Sequence, residues 1–137
     1  MKKLTLILLF VPFLSVCGQN LYGTWGYKFD GHYINLYGDK IENQNNGGRT
    51  GTLKVAIYAT DYAYNGGSLS GYLLYEYELD PLDAGYYYSD ISKTGWCTFP
   101  PTNNYSRGSY SLSIILLEYS YRGYEVVDYL TLGRQSF

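Results

Sequence analysis

Residues 52–60 read TLKVAIYAT, and this stretch decides the fold class because its side chains alternate with a period of two. Leu53, Val55 and Ile57 form an apolar row, whereas Thr52 and Lys54 occupy positions between them. Successive side chains of an extended strand point to opposite faces, so the alternation predicts a strand that is buried on one side.

The same alternation recurs on either side of a turn-rich segment, in residues 71–79 (GYLLYEYEL) and 110–119 (YSLSIILLEY). Glu76 and Glu78 indicate which face of the first of these strands meets water. The inward rows predict one contiguous core: Leu53, Val55, Ile57, Leu73, Tyr75, Leu112, Ile114 and Leu116. The apolar side chains on the opposite rows are expected to be exposed and to favour self-association: Leu74, Ile115 and Leu117.

Nineteen tyrosines and sixteen glycines support an all-β class, because tyrosine favours strands and glycine favours turns. Further strands are predicted at residues 24–29, 33–37, 40–43, 86–91, 96–99 and 124–132. Gly38 and Asp39 are expected to form a hairpin turn between two of them. Seven to nine short strands at this spacing predict a two-sheet antiparallel sandwich or a small barrel.

The first eighteen residues have the pattern of a secretory signal peptide. Lys2 and Lys3 precede an apolar run over residues 4–16 that is too short to span a membrane, and small Gly18 follows. Residues 1–18 are therefore interpreted as a signal peptide, and residues 19–137 as one domain that is secreted, periplasmic or at the cell surface. Residues 14–17 also approximate a lipobox, so the alternative is a lipoprotein acylated on Cys17.

The mature domain keeps Cys97 alone for thiol chemistry, so no intramolecular disulfide is expected, and Cys97 is interpreted as a small buried apolar residue. The whole chain has ten basic and twelve acidic residues, with no basic cluster. Nucleic acid is therefore excluded as a partner, because phosphate contacts need clustered Lys and Arg. Contact with a membrane is expected only if Cys17 is acylated.

Three longer stretches, DKIENQNNGGRTGTLKVAIYAT (39–60), GGSLSGYLLYEYEL (66–79) and GYYYSDI (85–91), together resemble a β-sandwich module of bacterial exported proteins. Shorter matches lie at residues 99–101, 116–119 and 127–129. The resemblance implies an immunoglobulin-like sandwich, similar to small exported proteins of the Bacteroidetes and often appended to enzymes or surface proteins. Tyr110 stands where such domains place a tyrosine corner.

A second resemblance is to lipocalins, whose G-x-W and T-D-Y motifs match residues 23–25 and 60–62, with Arg134 as the closing arginine. This resemblance implies a lipocalin-like barrel that carries a small apolar ligand. The spacing argues against it, because the second motif of lipocalins follows several hairpins and the arginine follows soon after. The barrel is therefore the alternative to the sandwich.

Reactive groups are sparse, so no catalytic residue, metal or cofactor is predicted. His32 is the single histidine and is placed in a turn. Glu76 and Glu78 share a strand face at roughly 7 Å, a separation compatible with a glycosidase, so a small secreted hydrolase is a third function. A calcium site would draw on three acids near the Pro81 turn: Asp80, Asp83 and Asp90.

Trp96 is the leading candidate for a binding residue, because Gly95 and a nearby pair of prolines favour an exposed loop-like position. Tyr105, Tyr86 and Tyr88 are the other candidates. Exposed aromatic rings stack on sugars or anchor protein partners. The sequence thus predicts a secreted or surface-associated, non-catalytic module that binds a protein or a polysaccharide.

Overall fold

The computed structural model describes residues 18–101 and 108–137, and these residues form antiparallel β-strands in two sheets. The strands are β1 (Gln19–Asp30), β2 (Tyr33–Asn43), β3 (Leu53–Thr60), β4 (Tyr72–Leu79), β5 (Tyr87–Trp96), β6 (Ser109–Ser120) and β7 (Gly123–Ser136). Within this part of the chain, no helix has the length and apolar character needed to cross a membrane.

Sheet 1 has the strand order β1-β2-β5, and sheet 2 has the order β4-β3-β6-β7. Hairpins join β1 to β2, β3 to β4 and β6 to β7, whereas the other connections pass from one sheet to the other. The chain therefore adopts the predicted all-β, two-sheet antiparallel sandwich, in an arrangement compatible with an immunoglobulin-like module.

The lipocalin-like alternative is wrong, because the described strands form two open sheets and no closed barrel. The residues that suggested it have other roles. Trp25 is buried in the core, and the Arg134 guanidinium donates hydrogen bonds to the backbone carbonyls of Asp61 and Ser109. Arg134 thereby connects the start of the β3–β4 loop to the first residue of β6, Ser109.

The inner faces of the two sheets form the core, and most of the predicted core is confirmed. Leu53, Val55, Ile57, Leu112, Ile114 and Leu116 are completely buried, and half-buried Tyr75 packs against them. Leu73 is the exception. A β-bulge places Tyr75 opposite Ile57 but Leu73 opposite Tyr58, so the extra residue, Leu74, takes the core position. The bulge reverses the faces assigned to these two leucines.

The outer face of sheet 2 carries a second apolar cluster that the chain covers itself. Ile115 and Leu117 are buried there together with Tyr64, which belongs to the β3–β4 loop at residues 61–71. The Tyr64 hydroxyl donates a hydrogen bond to the Gly67 carbonyl, and its ring meets Tyr129 edge-on at 4.9 Å. The expectation that Ile115 and Leu117 are exposed is therefore wrong, and they give no support to self-association.

The predicted hairpin at Gly38 and Asp39 is also wrong, because β2 runs unbroken through both residues. The chain turns earlier, at Gly31 and His32, where Gly31 has a φ of +60°. Gly38 is needed for packing: a Cβ there would lie 2.0 Å from the indole ring of Trp25. The strand predicted at 86–91 extends to Trp96 as β5, whereas the strand predicted at 96–99 is wrong, because residues 97–99 follow β5 outside any strand.

Candidate functional site

Trp96 ends β5 with its side chain on the outer face of sheet 1, where the residue is 58% exposed. The imidazole of His32 stacks on its indole at 5.1 Å with an interplanar angle of 16°. Tyr33, its partner across the strand pair, meets the indole edge-on at 5.6 Å. Trp96 is therefore held on two sides although much of its ring faces water.

Polar groups follow the Trp96–Tyr33 pair along the sheet. The Asn35 side-chain amide donates hydrogen bonds to Ser92 Oγ at 2.9 Å and to Thr94 Oγ1 at 3.0 Å. A groove of about 390 Å³ lies at this level, lined by Lys28, Asp30, Tyr33, Asn35 and Thr94. This part of the surface offers both hydrogen-bond donors and acceptors to a ligand.

Tyr37 comes next on β2, and its ring lies across the neighbouring strand at Gly26. A Cβ built on Gly26 would lie 2.6 Å from Tyr37 Oη and 2.8 Å from Cζ. The glycine therefore makes room for the ring to lie against the sheet, and the residue remains 41% exposed.

The far end of the same face carries Lys40 between two tyrosines. Its ammonium lies 5.0 Å from the ring centroid of Tyr22 and 5.4 Å from that of Tyr87, and 3.6 Å from a carboxylate oxygen of Glu42. Cation–π contact with the two rings fixes the charge close to the surface. We call the outer surface of sheet 1 the open face, defined by Trp96, Tyr33, Asn35, Tyr37, Lys40, Tyr22 and Tyr87.

The structure does not bring Tyr86 or Tyr88 to Trp96. Tyr88 packs against the core and donates its hydroxyl to the Asp80 carbonyl at 2.9 Å, and burial raises its pKa. Tyr86 is exposed in the turn before β5, at the opposite end of that strand from Trp96. At a rise of 3.3 Å per residue, the two residues are about 30 Å apart. Tyr105 and the lipidation candidate Cys17 lie outside the described residues.

An irregularity at Asp90 explains why Tyr88 and Trp96 face opposite ways although both have even numbers. Asp90 adopts a φ of +51°, which is uncommon for a residue other than glycine, and both Ile91 and Tyr88 contact the core. The alternation therefore shifts by one position within β5. Tyr87, rather than Tyr88, lies on the open face.

The carboxylates considered for catalysis lie on the other sheet and are engaged by neighbours. Glu76 forms an ion pair with Lys54 at 3.2 Å, and Glu78 accepts a hydrogen bond from the Tyr124 hydroxyl at 3.0 Å. The Lys54 ammonium also lies 4.0 Å from the centroid of the Tyr124 ring. These contacts join β3, β4 and β7 across the outer surface of sheet 2.

The acids considered for calcium have separate surroundings. Asp83 accepts a hydrogen bond from Arg49 Nε at 2.6 Å, which lowers the pKa of its carboxyl, whereas Asp90 lies within β5. Across residues 18–101 and 108–137, no three His, Cys, Asp or Glu side chains are grouped to hold a metal ion. Cys97 is buried, as predicted, and burial raises its pKa to about 11.

No family model and no curated protein matches the chain. Among solved structures, the β-glucosidase 3B from Thermotoga neapolitana, determined in complex with glucose, is similar at 14% identity with a TM-score of 0.37. The match covers 88% of this chain and only 16% of that enzyme. Likeness at this level carries no argument about function.

Proposed function

We propose that this protein is an exported, secreted or surface-associated binding module of the bacterial β-sandwich kind, which binds a protein or a polysaccharide without catalysis. The signal-peptide pattern of residues 1–18 is the reason for placing it outside the cytoplasm. The open face is its proposed binding surface.

The observation that carries this proposal is the difference between the two sheets. On the outer face of sheet 2, Tyr64 of the β3–β4 loop is buried with Ile115 and Leu117, and the strands of that sheet leave two large rings 43–56% exposed, Tyr72 and Tyr119. The outer face of sheet 1 leaves four large rings 41–58% exposed: Tyr33, Tyr37, Tyr87 and Trp96. Aromatic rings gathered on one exposed surface are typical of interaction sites, because their burial by a partner is favourable.

The contacts of the rings add to the argument. Trp96 is held by His32 and Tyr33, and Tyr37 lies in the space left by Gly26. Side chains that are already ordered lose less conformational entropy when a ligand binds. In this proposal His32 supports a binding residue and has no catalytic part.

The test compares Trp96→Ala with a matched control, Tyr121→Ala, which removes an aromatic ring that is 89% exposed in the β6–β7 turn. Biotin-labelled proteins are applied to arrays of glycans and of extracellular proteins. An aromatic anchor contributes about 2 kcal/mol, so Trp96→Ala should weaken binding about thirtyfold and Tyr121→Ala should leave it unchanged.

Thermal unfolding of the same variants separates binding from folding. Trp96→Ala should lose less than about 1 kcal/mol, because the ring is mostly outside the core. Equal binding by Trp96→Ala and the wild type would contradict the proposal, as would equal losses in both variants. If Trp96→Ala unfolds, Tyr37→Ala serves as the second variant, with the same expectations for binding.

A further inference from the structure

We propose that the ligand of the open face is a neutral polysaccharide, whose sugar rings stack on Trp96 and Tyr37. This inference rests on the proposed binding function and names its ligand class. Three features of the open face carry it: the exposure of the aromatic rings, the polar groups between them and the balance of charge.

The ring of Tyr37 lies over Gly26 on the neighbouring strand, because a Cβ built on this glycine would lie 2.6–3.1 Å from Tyr37 Oη, Cζ and Cε2. Tyr37 remains 41% exposed, and the π face of a tyrosine ring is electron-rich. The C–H groups on one side of a pyranose carry the complementary partial charge. Protein hot spots, by contrast, typically insert a side chain into a pocket.

Polar side chains occupy the space between the two aromatic sites. Tyr33 and Tyr37 are four residues apart on β2, which corresponds to about 13 Å along the strand. Asn35 and Thr94 lie between them, next to the groove of about 390 Å³, and Ser92 lies opposite Tyr37 on β5. Amide and hydroxyl groups both donate and accept hydrogen bonds, as sugar hydroxyls do, so this segment suits the units between two stacked sugars.

The charges of the open face disfavour an anionic polymer. Lys40 is already shared between two tyrosine rings and the carboxylate of Glu42. Lys28, beside the groove, has Asp30 as a neighbour in the same lining. Since the cations have acids close by, a chain of uronic acids or phosphates would gain little attraction there and a neutral chain meets no repulsion.

The test uses Gly26→Ala, which leaves every aromatic residue in place but fills the space under the Tyr37 ring. The obstructing atoms belong to the far end of a flexible side chain, so the ring is expected to tilt away from the sheet while the strand remains. Gly47→Ala is the matched control, because a Cβ there meets nothing within 4 Å. Tyr37→Ala removes the ring, and Tyr37→Phe retains it without the hydroxyl.

Binding is measured by cosedimentation with cellulose, xylan, mannan and starch, and by calorimetry with the matching oligosaccharides. Polygalacturonate is the anionic comparison. The wild type should bind at least one neutral polymer, and Gly26→Ala and Tyr37→Ala should each weaken that binding tenfold or more. Gly47→Ala and Tyr37→Phe should remain within twofold of the wild type.

The other outcomes overturn the inference in distinguishable ways. Binding to polygalacturonate alone, or to none of the polymers, would refute a neutral polysaccharide as the ligand. If none binds but a protein on the array binds in a Trp96-dependent manner, the proposed function stands and this inference fails. A dimer in sedimentation that Trp96→Ala dissociates, without glycan binding, would assign the face to a second copy of the chain. If neutral polymers bind equally to wild type, Gly26→Ala and Trp96→Ala, both proposals fail.

Discussion

Replacing Ile115 with alanine is expected to destabilise the protein by about 3 kcal/mol, although period-two alternation assigns this residue to the outside. Its side chain is completely buried in the cluster that includes Tyr64 and Leu117. The change removes three carbon groups at about 0.8 kcal/mol each, or about 2.4 kcal/mol. Incomplete collapse of the cavity adds a smaller cost that grows by about 24 cal/mol per Å³.

Urea unfolding followed by circular dichroism measures this loss. Ile114→Ala is the matched comparison, because this neighbour on the same strand is equally buried on the inner face and should lose about 2–5 kcal/mol. Tyr121→Ala should stay within about 0.5 kcal/mol of the wild type. A loss below about 0.5 kcal/mol for Ile115→Ala would refute the covering of sheet 2 by the β3–β4 loop.

Two further changes test the core. Gly38→Ala should destabilise the protein by about 2 kcal/mol, because its Cβ would lie 2.0 Å from the buried Trp25 ring. Thermal unfolding measures this loss, with Gly47→Ala as the control variant. Equal unfolding midpoints for the two variants would contradict the prediction. Burial raises the pKa of Cys97 from 9.0 to about 11, so the unfolded chain loses this proton first and stability falls as the pH rises between those values. Cys97→Ala should show a shallower decline of the urea midpoint over that range, and identical slopes would refute the shift.

The sequence predicts the sandwich well where hydrophobic side chains alternate without interruption. Residues 53–57 and 112–116 keep one register across β3 and β6, and their pairing places Ile57 directly opposite Ile114. Burial of one face of a strand requires hydrophobic side chains with a period of two, so neighbouring residues alone are enough to predict it. The number of strands, seven among the described residues, lies within the predicted range.

The errors occur where the strands are irregular. A bulge in β4 exchanges Leu73 and Leu74, and the positive φ of Asp90 exchanges Tyr87 and Tyr88. One extra or distorted residue moves every following side chain to the other face, and no local pattern marks it in advance. From the sequence, Gly38 is interpreted as a turn residue because it is a glycine. The structure gives another reason for the glycine, since a side chain at this position would collide with the indole of Trp25.

The candidate site could be found only in part. Trp96 is recognisable from its flanking glycine and prolines, but Tyr33 and His32 contact it through pairing of β2 with β5, about 60 residues away in the chain. Tyr37 is the last residue of the strand predicted at 33–37, directly before the turn wrongly predicted at Gly38 and Asp39. Long-range pairing, rather than residue type, determines which of the nineteen tyrosines share the open face.

The two tryptophans are intrinsic fluorophores that report on different parts of the molecule. Trp25 is 6% exposed and donates its indole N–H to the Tyr22 carbonyl, whereas Trp96 is 58% exposed on the open face. Emission from Trp25 will therefore follow the integrity of the core, and emission from Trp96 will follow the polarity at the surface. One unlabelled sample can report folding and occupancy of the open face at different wavelengths.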